Sequence, residues 1–220
     1  MNIEKHKAVK QIKVLPLHGG VREGLFLLLL LLLASCKGDD TSDFYPNVVT
    51  EFAMIRTNAS GTMVELTTDD ERTYTLNNPQ EGYDKNVMYR AVCGFVPDGQ
   101  TATLHHATAA YMLRDSTELA YEPDAIKVVS VWQSGRYINM QLAPLTQGGT
   151  QYWGYRIDGA TDGVTHISLH HRQNNDPLSY TQNVYASIAT ADFETIPSGN
   201  VISLHIKTFQ GEQVWTFHKP

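Results

Sequence analysis

The chain of 220 residues has only two cysteines, Cys36 and Cys93, and fewer basic than acidic side chains. Two cysteines cannot build a disulfide framework or a structural zinc site on their own. The 17 basic and 23 acidic residues give a formal charge of −6, which argues against a phosphate-binding surface and hence against nucleic acid as a partner. The sequence also lacks a Gly-X-Ser-X-Gly nucleophile motif and a phosphate-binding loop. These absences leave a chain whose apolar fraction of 42% still suffices for a packed core.

The N-terminal segment carries a short hydrophobic run, Leu-Phe-Leu-Leu-Leu-Leu-Leu-Leu-Leu-Ala, over residues 25–34. A helix that spans a bilayer needs roughly 20 apolar residues, whereas the apolar region of a secretory signal has about 7–15. Five basic residues precede or border the run, as in the cationic start of such a signal. We therefore predict a signal peptide over residues 1–35.

The run ends in Leu33-Ala34-Ser35-Cys36, which resembles the lipobox of bacterial lipoproteins. The resemblance implies that Cys36 receives the lipid and becomes the mature N-terminus, so residues 36–46 form a lipidated tether. Two or more acyl chains anchor a protein stably without any inserted polypeptide. The acidic residues that follow Cys36 resemble the tag that directs Bacteroidota lipoproteins to the outer face of the outer membrane, although an ordinary solvated tether has the same composition. The expected location is therefore the outer membrane, lipid-anchored and exposed at the cell surface.

Removal of residues 1–35 makes the mature chain more acidic, because that segment holds 5 of the 17 basic and only 2 of the 23 acidic residues. The remaining 12 basic and 21 acidic residues give a formal charge of −9. Cys93 is then the only other thiol, and its apolar surroundings in the sequence predict a buried, unreactive residue.

From residue 47 onward, apolar residues alternate with polar ones and turn clusters interrupt them, a pattern typical of short β-strands. Three strands, a loop over 77–85 and two more strands predict an OB-like small barrel over residues 47–114. Polar residues 115–124 read as a linker between domains. Seven or so further strands predict an antiparallel β-sandwich over residues 125–220, and the fold class is all-β.

The chain resembles the NigD-like lipoproteins of Bacteroidota. The likeness rests on the lipobox, the Asp-Phe-Tyr-Pro start at 43–46, the segment Val129-Ser-Val-Trp132 with Tyr137-Ile-Asn-Met140, and the closing hairpin over 201–217. The resemblance implies a surface lipoprotein for which a role in bacteriocin immunity has been suggested, and it supplies no catalytic residues. Only Cys36 is carried over, as the acylated residue.

Several side chains could carry chemistry, and each has a simpler interpretation. His166 and His170 share a strand face with Ser168, but residues four apart on a strand lie roughly 13 Å apart, too far to bind one ion easily. His105, His106 and His205 could join them only through tertiary contact. The segment 158–163 resembles part of a calcium loop, yet it lacks the alternating carboxylates and closing Glu of a complete one.

Two other groups of residues also have a simpler interpretation. Asp69-Asp70-Glu71 could be paired catalytic carboxylates, but a solvated hairpin tip explains them more simply. The aromatic residues could form a binding platform, although core packing is the commoner role; they are Trp132, Trp153, Trp215, Tyr152 and Tyr155.

We therefore expect a non-enzymatic envelope protein with no catalytic residues, no metal and no cofactor, which binds a protein (a bacteriocin) or a glycan. An envelope enzyme or metal-binding protein with a site in the groove between the domains is the alternative. A purely structural envelope component is the third.

Overall fold

The computed structural model describes residues 47–119, 121–193 and 201–219, so the predicted signal peptide and the tether with Cys36 lie outside the described residues. The described residues form strands and one 3-10 turn, Thr190–Asp192, and contain no helix long and apolar enough to cross a membrane. The strands are β1 Val49–Thr57, β2 Met63–Thr68, β3 Thr73–Gln80, β4 Met88–Asp98, β5 Thr101–Met112, β6 Val128–Ser134, β7 Tyr137–Leu142, β8 Leu145–Thr146, β9 Tyr152–Thr161, β10 Val164–Arg172, β11 Tyr180–Thr181, β12 Val184–Ala189, β13 Val201–Thr208 and β14 Gly211–His218.

The first five strands form a closed small barrel. Their order is β3-β2-β1-β4-β5, and a parallel pairing of β3 with β5 closes the ring. Alternate residues point inward, so Ile55, Leu66 and Phe95 fill the interior as part of a continuous buried cluster. This arrangement confirms the predicted OB-like half of an all-β chain.

The later strands form the predicted sandwich. One layer contains β12, β7 and β6, and the other is a four-stranded sheet in the order β14-β13-β10-β9. Ile138 and Met140 from the first layer pack with Ile167 and Leu204 from the second in one hydrophobic core. The prediction of an antiparallel sandwich needs one correction, because β10 and β13 run parallel. The chain crosses to the other layer through β12 between them, so β13 re-enters the sheet from the same end as β10.

Strand β5 belongs to both halves. Its first residues complete the barrel, and its last residues, Ala110–Met112, pair in parallel with Tyr185–Ser187 of β12. The eight strands β3-β2-β1-β4-β5-β12-β7-β6 are therefore hydrogen-bonded in series. The domain limits 47–114 and 125–220 stay a prediction, although the two buried clusters lie one in each half.

Two predicted loops are partly strand. Strand β3 continues through Gln80 into the segment expected to be a loop, because the Asn78 side chain bonds both the N–H and the C=O of Leu104 at 2.9 and 2.7 Å. Strand β9 continues to Thr161, so most of the calcium-like segment 158–163 is β-structure and only Asp162-Gly163 remains as the turn. In both places a long-range pairing overrides the local turn signal.

Candidate functional site

A buried ion pair lies where the two halves meet. Arg90 of β4 donates two hydrogen bonds to Asp69, at 2.6 and 2.9 Å, and the side chains are only 1% and 4% exposed. The second half supplies further partners, since Arg90 also donates to Asn139 at 2.9 Å and to Ser187 at 3.0 Å. Asn139 in turn donates to Asp69 at 2.9 Å. The Asp69 carboxylate is hydrogen-bonded to partners from both halves, so its oxygens are not available to exchange a proton with a substrate.

Aromatic rings and a glycine complete this junction. The Arg90 guanidinium lies 3.9 Å from the ring centroid of Tyr137 and 5.0 Å from that of Phe52, within cation–π range. Gly135 has a φ of +51°, and a Cβ there would come within 1.9 Å of the Asp69 carbonyl oxygen. The prediction that residues 69–71 form a solvated tip is wrong for Asp69, which is buried, whereas Asp70 and Glu71 are exposed. No local pattern reveals this, because the partner Arg90 is 21 residues away.

A cleft opens beside the junction, between β5 and β12, with a volume of about 400 Å³. It forms where the two strands diverge before their short parallel pairing. Its lining contains amide, hydroxyl, small and aromatic side chains and no charged one, although the chain is acidic. The lining residues are Thr108, Ala109, Ala110, Tyr111, Pro144, Thr146, Gly149, Gln151, Trp153, Gln182, Asn183, Val184 and Tyr185. Such a neutral, partly aromatic concavity is typical of a binding site.

One wall of the cleft is an open strand edge. The Leu113 N–H donates to the Ser187 carbonyl of β12 at 2.8 Å, so by alternation the backbone groups of Ala107 and Ala109 point to the same side of β5. No described strand pairs with them there, and residues 105–109 are all exposed. The segment has no lysine or proline of the kind that protects edge strands. It therefore presents free backbone donors and acceptors to a partner.

The base of the cleft is a stack of rings. Tyr111 stacks on Trp153 with centroids 5.7 Å apart, and Trp153 lies 4.3 Å from the ring of His171. His171 is buried, and its Nε2–H donates to the side-chain oxygen Oε1 of Gln151 at 2.9 Å, which leaves Nδ1 without a hydrogen-bond partner. Burial lowers the pKa of His171 to about 4, against a weak opposing effect of the neighbouring Asp124. The ring is thus a neutral packing element at physiological pH.

One carboxylate, that of Asp176, holds the loop over residues 146–151 at the rim of the cleft by hydrogen bonds. Asp176 accepts hydrogen bonds from the Thr146 hydroxyl, from Gln147 N at 2.9 Å, from Gly149 N at 3.1 Å and from Gln151 Nε2 at 2.9 Å. These donors, led by the Thr146 hydroxyl, hold the pKa of Asp176 down to about 2, against the opposing effect of burial. The rim is therefore pre-shaped at neutral pH.

A second polar groove lies on the outer face of the four-stranded sheet. His166 Nδ1 is 3.2 Å from His205 Nε2, and His205 Nδ1 is 3.1 Å from Glu212 Oε2. Ser203 Oγ lies 3.1 Å from His205 Nε2, so Ser203, His205 and Glu212 have the contact order of a catalytic triad. Because β13 is hydrogen-bonded on both sides, its backbone offers no oxyanion hole next to Ser203. The arrangement does not support nucleophilic catalysis.

The histidines singled out by sequence have separate roles. His166 joins His205, whereas His170 is buried beneath the segment 115–124. There His170 Nε2–H donates to Tyr121 O at 2.8 Å, the Tyr121 ring stacks on it at 3.9 Å, and Ser116 Oγ is 2.7 Å from Nδ1. The predicted linker is thus fastened to the sandwich at Ser116 and at Tyr121. His105 and His106 are exposed on β5.

Most of the other residues singled out by sequence pack in the protein interior. Cys93 is buried, and desolvation raises the pKa of its thiol to about 12. Trp132 packs edge-on against Phe52 at 5.4 Å, and Trp215 packs against the sandwich core. Tyr155 is wholly inside that core. Of the predicted aromatic platform, only Trp153 belongs to the cleft.

Comparison with known proteins decides the family. The sequence profile of the NigD-like C-terminal beta sandwich domain matches residues 109–218, half of the chain. This chain belongs to the NigD-like family. The match begins in β5 and ends in β14, so it covers the sandwich and one wall of the cleft. No curated protein is detectably similar to this NigD-like chain in sequence.

Solved structures share the fold. A NigD-like immunity protein from Bacteroides caccae is 19% identical, with a TM-score of 0.57 over 79% of this chain and 93% of the other. A protein from Parabacteroides distasonis, described as a candidate toxin-related protein, is 13% identical, with a TM-score of 0.60 over 78% and 92%. A candidate lipoprotein from Bacteroides fragilis is 11% identical, with a TM-score of 0.57 over 80% and 99%. At these identities the likeness concerns the NigD-like fold alone.

Proposed function

We propose that this NigD-like protein is a lipid-anchored protein of the outer membrane surface that binds a partner protein in the cleft between β5 and β12, in the manner of a bacteriocin immunity protein. Cys36 carries the lipid. The protein acts by binding and uses no catalytic residue, metal or cofactor for this role. The partner is a protein segment of neutral character.

The cleft is the observation that carries the proposal. Its uncharged lining excludes strong attraction to nucleic acid or anionic headgroups, and its aromatic base supplies the ring contacts that anchor protein interfaces. The open edge at Ala107 and Ala109 adds unpaired backbone groups, which an extended peptide satisfies by adding a strand. A glycan would use the rings and amides but would leave that edge unpaired, so a protein segment fits better.

The anchor and the immunity role have independent support. The order of apolar run, small residues and Cys36 favours acylation, and one structural relative is described as a candidate lipoprotein. Another is described as an immunity protein and a third as a candidate toxin-related protein. A tethered binder at the surface intercepts a toxin before it reaches the membrane.

Two experiments test the proposal. A photo-crosslinking amino acid in place of Tyr111, in intact cells, is expected to capture one protein, whereas the same probe in place of the exposed Tyr83, outside the cleft, is not. Deletion of the gene is expected to sensitise cells to a bacteriocin. The variant Trp153→Ala is expected to do the same while the protein stays at the surface.

Clear outcomes oppose the proposal. Equal crosslinking from both positions, or capture of glycan alone at Tyr111, would exclude a protein partner in the cleft. Unchanged sensitivity of the deletion strain across the relevant bacteriocins would exclude immunity. Mass spectrometry that finds Cys36 unmodified in membrane extracts would exclude the lipid anchor.

A further inference from the structure

We propose that the outer face of the four-stranded sheet binds a late first-row divalent transition metal, Zn²⁺ or Cu²⁺, through His166 Nδ1 and His205 Nε2. This site is distinct from the cleft and does not depend on the role of the cleft. It joins one histidine that the sequence singled out with one that only the fold brings near.

The two nitrogens have the separation that a shared ion requires. Two metal–nitrogen bonds of about 2.0–2.1 Å at a tetrahedral angle place their nitrogens about 3.3 Å apart. His166 Nδ1 and His205 Nε2 are 3.2 Å apart. Each ring has to turn so that its lone pair points to the ion instead of along the line between the nitrogens, while the two nitrogens keep their present separation.

The parallel pairing of β10 and β13 creates this proximity. His166 is opposite Ser203 and His205 is opposite Ser168, so the two histidines are diagonal neighbours on one sheet face. His166 and His170 share a strand and cannot approach each other in this way. The small serines between the two rings leave room above the sheet, in an open groove of about 390 Å³.

Glu212 prepares His205 for coordination. Its carboxylate accepts a hydrogen bond from His205 Nδ1–H at 3.1 Å, which fixes the tautomer whose Nε2 lone pair faces His166. A carboxylate on the far nitrogen is a common outer partner of a metal-bound imidazole. When the ion binds, the proton between the rings leaves His166 Nδ1 and His166 takes the Nε2–H tautomer, so the site releases no net proton.

The remaining positions of the ion are filled by water. The described residues hold no group of three or more His, Cys, Asp or Glu side chains that could surround a metal. The groove also contains Asp158, which is engaged by Arg156 at 2.8 Å and by the Ser168 hydroxyl. A site with two protein ligands and open positions binds an exchangeable ion, in contrast to a closed structural zinc site.

The test uses the untagged mature chain with Cys36→Ser, which removes the Cys36 thiol as a competing ligand. Titration calorimetry with ZnCl₂ and with CuCl₂ is expected to show one ion per chain. His166→Ala and His205→Ala are each expected to weaken binding at least tenfold, and Glu212→Gln by about tenfold. The double variant His105→Ala/His106→Ala, which removes two exposed histidines elsewhere, is the matched control and is expected to bind normally.

A second readout identifies the ligands. The electron paramagnetic resonance spectrum of the Cu²⁺ complex is expected to show coupling to two imidazole nitrogens, and to lose it in His205→Ala. Circular dichroism confirms that each variant keeps its β-sheet signal. Absence of binding by the parent chain, or equal affinity of the His205→Ala variant and the parent, would overturn the proposal.

Discussion

Replacement of Asp69 by Asn is expected to destabilise the protein by about 3–5 kcal/mol, because it leaves the Arg90 guanidinium buried without its counter-charge. The pair is bidentate, its side chains are almost wholly buried, and Asn139 and Ser187 supply further hydrogen bonds. A domain of this size has a total free energy of unfolding of about 5–15 kcal/mol, so the loss is a large fraction of it. The corresponding fall in Tm is about 6–20 °C.

The measurement is urea unfolding followed by tryptophan fluorescence, since Trp132 packs on Phe52 directly beside Arg90. The adjacent Asp70→Asn is the matched control. Asp70 pairs with Arg72 in the open, with side chains 55% and 48% exposed, and solvent screening limits its loss to about 1 kcal/mol. Equal effects of the two variants, or a loss below about 1 kcal/mol for Asp69→Asn, would refute the assignment of Asp69 as a buried junction residue.

Three further outcomes follow from single positions. The pKa of His171 is about 4 in the folded chain, below the ordinary value of 6.5 that applies to the unfolded chain. Because the unfolded chain therefore binds a proton more readily, lowering the pH favours unfolding. The free energy of unfolding is expected to fall by up to about 3 kcal/mol between pH 6.5 and 4. In the His171→Phe variant, the urea concentration at the midpoint of unfolding should depend less on pH over this range. Gly135→Ala should lower the free energy of unfolding by about 1–3 kcal/mol or more, because the added Cβ meets the Asp69 carbonyl oxygen. Gly99 has a similar positive φ but open space around it, so Gly99→Ala should cause a smaller loss in the same urea assay. His170→Ala should expose residues 115–124 to proteolysis and faster amide exchange without altering the barrel. Unchanged protection of these residues from proteolysis and exchange would contradict the conclusion that His170 holds them in place.

Local alternation predicted most strands correctly. The closing hairpin over 201–217 pairs residues 201–208 with 211–218, because a strong two-residue period meets a glycine turn. Asn77–Gln80 was predicted to be loop, because the bonds between the Asn78 side chain and the Leu104 backbone of β5 leave no signal in the local sequence. Local signals predict an element well when its partner is the next one along the chain.

Functional geometry depends on partners far apart in sequence. The burial of Asp69 follows from Arg90, Asn139 and Ser187, and no neighbouring residue indicates it. The contact between His166 and His205 requires the parallel alignment of β10 and β13, which the sequence did not predict. The cleft likewise exists only because β12 meets the end of β5. Alternation carries no information on which strands meet.

The passage of one continuous strand from the barrel into the sandwich has a consequence for recognition. A hinge between the halves would require the bonds between β5 and β12 to break, along with the hydrogen bonds that Arg90 donates to Asn139 and Ser187. The angle at which the cleft opens is therefore set before any partner arrives. For the partner proposed above, association is then expected to cost little conformational entropy on the protein side, and the shape of the cleft is expected to decide selectivity.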